Sequence, residues 1–487
     1  MSSARRTHAR IPLVPAALLA SAALVLAACS PGGDDDSSSG ESGSSGANED
    51  ATVVTFRLWD EAAAAAYETS FAEFTEQNPD IRVDVEVIPW DSYWSQLPLD
   101  IDSGDMADIF WTNSSNFGLY VDNGSLLNID EALGEDHDEW QQSIVDLYTR
   151  DGSNWGVPQI WDSIALFYNQ ELVDEAGVDV EDLQWRPGAG DGDTLLEAAR
   201  AITTDSAGLH PGEDGFDAGS ITTYGFNSQA DLQAIYIDFL AQNGAQFQDP
   251  ETDAFDFDTP EGVEAFQYLV DLVNEHTVAP SAADTNVNGD FSREQFVQGN
   301  LGLFQSGPYS LPALADADFE WGIAPMVSGP EGRIGVVHGV AAVGNADTEN
   351  LDATTEVLRW IGSAEGQDAL AAQGAAFPGA VDAQQTYIDY WADQGVDVTP
   401  FLDAAAGETT PAPVGAQINA GSNVISPILQ DMFLGAISVE EALAQAQEDG
   451  NAEMGASRSV PPGRSSSPTT ELWPHGRATP RAPSRLS

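Results

Sequence analysis

VVTFRLWDEAAAAAYETSFAEFTEQNPDIRVDVEVIPW, residues Val53 to Trp90, reads as strand, helix, strand. Val53 to Leu58 is β-rich, and the Ala-rich segment after it repeats Tyr67, Phe71 and Phe74 at helical spacing. Ile81, Val83, Val85 and Val87 then alternate with Arg82, Asp84 and Glu86, the period of a half-buried strand. Such a βαβ unit is right-handed with parallel strands in nearly all known cases. Asp91 to Asp102 reads as a second helix, and Ala107 to Phe110 as a short buried strand. Each of the three strands runs into a tryptophan: Trp59, Trp90 and Trp111. Parallel strands therefore bring three indoles to one edge of a sheet, and ligands of open α/β sheets sit at the carboxyl ends of strands.

The third strand delivers Trp111, Thr112, Asn113, Ser114 and Ser115 to what reads as a loop. An indole beside hydroxyls and an amide suits a ligand with apolar faces and many hydroxyls, a carbohydrate above all. Trp111 is either a stacking face for it or a core tryptophan beside a polar turn.

Working outward, 487 residues exceed one compact core, so two lobes are expected, with 42% hydrophobic residues to fill them. The 79 acidic and 16 basic residues leave a formal charge of -63, and every basic residue is Arg. Nucleic acid is excluded as a partner, and stability should depend on salt that screens self-repulsion. The one cysteine, Cys29, leaves the folded part without disulfides or thiolate metal sites. Arg5, Arg6 and Arg10 precede an apolar run from Ile11 to Val25, the plan of an export signal. The run ends Leu26-Ala27-Ala28-Cys29, which resembles the lipobox of bacterial lipoproteins. Residues 1–28 would be removed, and Cys29 would carry the lipid that holds the protein on the extracytoplasmic face of the cell membrane. Residues 29–50, nearly all Ser, Gly, Asp and Glu after the cysteine, read as a flexible tether.

Farther along, Thr259 and Pro260 form an N-cap and first-turn pair ahead of Val263, Phe266, Val270 and Val273. Leu301 to Phe304 is an apolar strand that ends in Ser306, Gly307, Pro308 and Tyr309. Trp185 to Ser220, rich in Gly and Asp with one helical piece at Thr194 to Ile202, reads as a surface excursion. Its acids match no EF-hand spacing, so no metal and no cofactor is assigned. Gly455 to Ser487 holds five arginines, six prolines and one acid, and reads as a disordered tail, natural or from an altered reading frame.

The order of WDE, an Ala-rich helix, NPDIRVDVEV and SGDMADIFWTN resembles the amino-terminal lobe of the family 1 extracellular solute-binding proteins, which serve ABC sugar importers. GVPQIWDSIALFYN (Gly156 to Asn169), FDTPEGVEAFQ (Phe257 to Gln267), FVQGNLGLFQSGPY (Phe296 to Tyr309), Gly339 to Phe377 and SVEEAL (Ser438 to Leu443) extend the likeness. It covers about Ala51 to Met454. The resemblance implies an α/β, two-lobed, type II periplasmic-binding-protein-like fold whose hinge is crossed more than once. Lobe 1 would be 51–163 plus 338–378, and lobe 2 166–335 plus 380–454.

The resemblance also implies site roles. Trp111 and Tyr309 would stack on sugar rings from opposite lobes, and Asp60, Asp162 and Gln229 would hydrogen-bond hydroxyls with help from Asn113 and Ser114. Trp161, Gly307, His338 and Gly339 lie beside these positions, at the crossings or the turn before Tyr309. Asp162 is otherwise a turn aspartate, and His338 donates to a sugar or packs at the hinge. Gly421, Ser422 and Asn423 stand where the family's maltose binder has aromatics, so a ligand of one or two rings is expected. The function implied is a monomeric, lipid-anchored sugar-binding protein that passes its ligand to an ABC permease. The alternatives are a secreted glycoside hydrolase, which needs two suitably spaced carboxylates, and a non-catalytic adhesion lipoprotein. The folded part has no HExxH, P-loop, CxxC or GxSxG, and the chain is read as no enzyme.

Overall fold

The computed structural model describes residues 47–458 except 49, 191, 251 and 316. The export signal, Cys29, nearly all of the tether and most of the basic tail lie outside the described residues. In chain order, the strands of the two large sheets are Thr52–Leu58 (β1), Ile81–Val87 (β2), Ile109–Asn113 (β3), Val157–Asp162 (β4), Ala165–Asn169 (β5) and Thr204–Asp205 (β6). Ile221–Phe226 (β7), Leu301–Ser306 (β8), Trp321–Pro325 (β9), His338–Gly344 (β10) and Phe377–Pro378 (β11) follow.

The opening βαβ unit forms as read. Asp60 caps the helix Glu61–Gln77 (α1) by accepting from Ala63 N at 2.7 Å, satisfying a backbone donor that the helix leaves unpaired. Tyr67, Phe71 and Phe74 lie on its buried face. β1 runs parallel to β2 from Thr52 opposite Ile81 to Leu58 opposite Val87, and parallel to β3. The first sheet has the order β11-β4-β10-β3-β1-β2, with β10 antiparallel to both β3 and β4. The second has the order β9-β5-β8-β7-β6. A central strand covered on both faces loses the alternation of a half-buried one. In β3, Ile109, Phe110, Trp111 and Thr112 are accordingly all buried.

The chain passes between sheets three times. Ser163 and Ile164 join β4 to β5, and the segment from Pro325 to His338 joins β9 to β10. The third passage lies between the helices Gln384–Asp393 and Thr399–Ala406. Ser163 Oγ donates to Phe401 O at 2.7 Å, tying the first passage to the third. At the second, Val336 N donates at 2.8 Å to Asp238, whose carboxyl is pushed well above its ordinary range by burial.

Several details depart from the sequence reading. Helix Gln384–Asp393 packs on Ala364–Ala372 and on β11, with Tyr387 4.2 Å from Phe377, so it lies on the first sheet rather than with lobe 2. Trp185 to Ser220 is no mere excursion: Trp185, Leu195, Leu196, Ala199 and Ile202 fill the second core. Ser114 opens a helix, Ser114–Asp122 (α3), where a loop was expected, because Phe117, Gly118 and Tyr120 bury one helical face. The last helix, Val439–Arg458, runs past Met454.

Candidate functional site

β1 to β4 point their carboxyl ends toward one edge of the first sheet, and β10 begins there. This edge gathers Trp59, Asp60, Trp90, Asn113, Ser114, Asp162 and His338. Register fixes the neighbours, with Val340 opposite Asn113 and His338 opposite Asp162.

Asp162 is the centre of the site. Gln233, on the helical turn Leu232–Tyr236 of the second lobe, donates Nε2 to Asp162 Oδ1 at 2.5 Å. Asp231 caps that turn, accepting from Ala234 N at 2.9 Å. Burial pushes the Asp162 carboxyl up to about 7, and the Gln233 bond opposes the shift by favouring the charged form. Asp231 is also raised by burial, against backbone hydrogen bonds from Ala234 and Gln233. Across the strand pair, burial lowers His338 to about 4, so it is neutral at neutral pH. Its Nε2 is buried without a partner among the described residues.

Tyr309 faces this group from the second lobe. Its side chain is 42% exposed. Its phenol is nonetheless raised, first by burial and then by the charges of Asp231 and Asp162. Gly307 makes that pose possible, since a Cβ there would lie 2.2 Å from Tyr309 Cε1. At the rim, Ser114 Oγ and Ser115 Oγ donate to Pro413 O at 3.4 Å, and Asn116 Nδ2 donates to Asn113 Oδ1 at 2.7 Å. Asn419 donates in turn to Asn116. The edge thus carries neutral and acidic donors and acceptors, and the second lobe brings a part-exposed aromatic residue, a set suited to hydroxyl groups and apolar ring faces.

Residues 59–368 match the family model described as bacterial extracellular solute-binding protein, well over half of the chain. The chain belongs to this family. UspC of M. tuberculosis, in its crystal structure, is 44% identical with a TM-score of 0.71, covering 82% of this chain and all of that one. An arabinooligosaccharide-binding protein of Halalkalibacterium halodurans is 28% identical over 238 residues, 47% of this chain, and the chain spans about half of it, 48%. A maltooligosaccharide ABC transporter solute-binding lipoprotein of Streptococcus pneumoniae is 23% identical over 372 residues, 73% of this chain and 77% of its own length. The fold is the two-lobed, type II architecture of the family.

Within that architecture the structure brings Asp162, His338 and Tyr309 together and keeps Asp60, Asn113 and Ser114 on the same edge. It places the other expected residues behind it. Trp111 has no exposed surface and packs against Trp59 at 5.1 Å and Tyr67 at 6.0 Å, so no face is free for stacking. Trp161 is buried against Phe377 at 4.7 Å. Gly339 has a packing role: a Cβ would sit 2.5 Å from Ile144 Cδ1, while its carbonyl lies 2.9 Å from the Tyr148 hydroxyl that also meets Thr112 O. Gln229 is 7% exposed and its amide is used internally, accepting from Ser292 Oγ at 2.5 Å and donating to Gly289 O at 3.2 Å. The glutamine that reaches across is Gln233, which the sequence reading missed. Asp231 was its signal: a capping aspartate ahead of Ala234 starts the turn and sets which side chains leave it toward the first lobe.

Proposed function

We propose that this protein captures a carbohydrate between its lobes and delivers it to an ABC permease, held at the outer face of the membrane by a lipid on Cys29. The observation that carries the reading is the Asp162–Gln233 hydrogen bond between the lobes, beside the open ring of Tyr309. A ligand that touches both lobes favours the closed arrangement over the open one by the difference of its affinities. The names of the arabinooligosaccharide-binding and maltooligosaccharide relatives support a sugar as that ligand. Among the described residues no helix is long and apolar enough to cross a membrane.

Tyr309 stacks on a ring, Asp162 and Gln233 accept from and donate to its hydroxyls, and the bare Nε2 of His338 takes another. Asn113 exchanges its present partner for ligand or water, whereas Ser114, 2% exposed with its Oγ on Pro413 O, supports the edge from within. Trp111, Trp161, Gln229, Gly307 and Gly339 hold this surface from behind. The chain acts as a monomeric binder, not a hydrolase. Thermal-shift screening of the purified mature protein against neutral mono- and oligosaccharides tests the reading. At least one sugar should raise the melting temperature, Asp162→Ala should abolish the shift, and the sugar should be recovered uncleaved. Absence of any shift across arabinose, glucose and galactose oligomers would overturn it, and cleavage would restore the hydrolase.

A further inference from the structure

Trp90 is unexplained by the site above. It is 49% exposed, while the other described tryptophans are buried or half-buried. It opens the helix Trp90–Ser103 (α2) directly after β2, with Pro89 holding an extended approach, so it stands at the sheet edge that carries the site. Its ring meets Trp59 at 5.3 Å and Trp94 at 5.2 Å, both nearly perpendicular. Trp59 is held in turn by Tyr93 at 5.1 Å and Trp111 at 5.1 Å. The exposed indole is therefore the open end of a braced aromatic stack. Beside Trp59, Asp60 spends one carboxylate oxygen on Ala63 N, and its other has no partner among the described residues.

The separation from Asp162 follows from topology. β4 and β2 are four strand steps apart in the order β4-β10-β3-β1-β2. At about 4.8 Å per step, the two ends of the edge lie about 19 Å apart, several times the width of one sugar ring. The carboxyls along this edge, Asp60 and Asp162, with Asp231 opposite and a neutral His338, disfavour an anionic ligand.

We infer that Trp90, braced by Trp59 and accompanied by Asp60, is a distal subsite that stacks on a far ring of a neutral oligosaccharide whose near ring lies at Asp162 and Tyr309. This rests on the carbohydrate reading above and replaces the expectation of a ligand of one or two rings. That expectation came from Gly421 to Asn423, but Gly421 is a packing glycine whose Cβ would lie 2.7 Å from Phe255 and 2.8 Å from Met454. The platform lies at the other end of the cleft edge.

Calorimetric titration of the mature protein with ladders of maltooligosaccharides and arabinooligosaccharides of increasing length tests this. In one ladder the wild type should bind more tightly as rings are added. Trp90→Ala should lose about ten-fold on the longest member, the worth of one aromatic stack, and nothing on the shortest. Trp90→Phe should recover part of the loss. The subsite is overturned if Trp90→Ala keeps the wild-type length dependence or loses equally at every length. A wild type that binds no member of either ladder and no sugar of the thermal-shift panel refutes the carbohydrate reading itself, and the subsite with it.

Discussion

Replacing Asp162 by Asn should stabilise the protein in a pH-dependent way. In the folded chain burial raises the carboxyl from 3.8 to about 7. Below about pH 4 both folded and unfolded forms are protonated, and the residue contributes no pH dependence. As pH rises from about 4 to 7, the unfolded chain releases its proton while the folded one retains it, so stability falls with pH across that window and levels off above it. Roughly three units at about 1.36 kcal/mol each set a ceiling of about 4 kcal/mol. Part of the side chain reaches solvent, and screening there reduces the expected effect to about 2 kcal/mol. Asn keeps an acceptor for Gln233 Nε2 and has no charge to desolvate. Urea midpoints of wild type and Asp162→Asn at fixed ionic strength should coincide near pH 4 and diverge up to pH 7, with the variant more stable. A difference that does not change with pH would refute the reasoning.

The remaining predictions concern the residues around it. His338→Gln should remove a contribution opposite in sign to that of Asp162: burial lowers His338 to about 4, so this residue alone costs stability as pH falls from 6.5 toward 4, by about 1 to 2 kcal/mol after screening, and the difference in urea midpoint between wild type and variant over that range checks it. Gly307→Ala should displace Tyr309 and weaken sugar binding about ten-fold at an unchanged heat-unfolding profile, because the ring turns outward instead of the backbone giving way. Cys29→Ala should move the protein from the membrane fraction to the soluble fraction, or stall its maturation, and fractionation followed by immunoblotting reads either result.

What could be read from the sequence was whatever local periodicity encodes. The alternation from Ile81 to Val87 and the capped, Ala-rich helix before it gave the parallel unit with its converging tryptophans, since those features need no distant partner. The Gly-Pro break that presents Tyr309 was legible for the same reason. Which indole faces outward was not. β3 is buried on both faces, so a tryptophan at its end carries no signal of side, whereas Trp90 escapes the core because it begins a helix at the sheet edge. The choice between Gln229 and Gln233 depended on the phase of one helical turn. The pairing of Asp162 with His338, and hence the shifts of both, comes from strand register between distant segments, which no local pattern records.

The most direct measurement is a calorimetric titration of the best sugar from the thermal-shift panel into wild type and Tyr309→Ala side by side. Tyr309 is the open ring opposite Asp162, so its loss should weaken binding by about ten-fold or more while both proteins unfold at the same temperature. Equal affinities in the two proteins would contradict a sugar held between the lobes at this site.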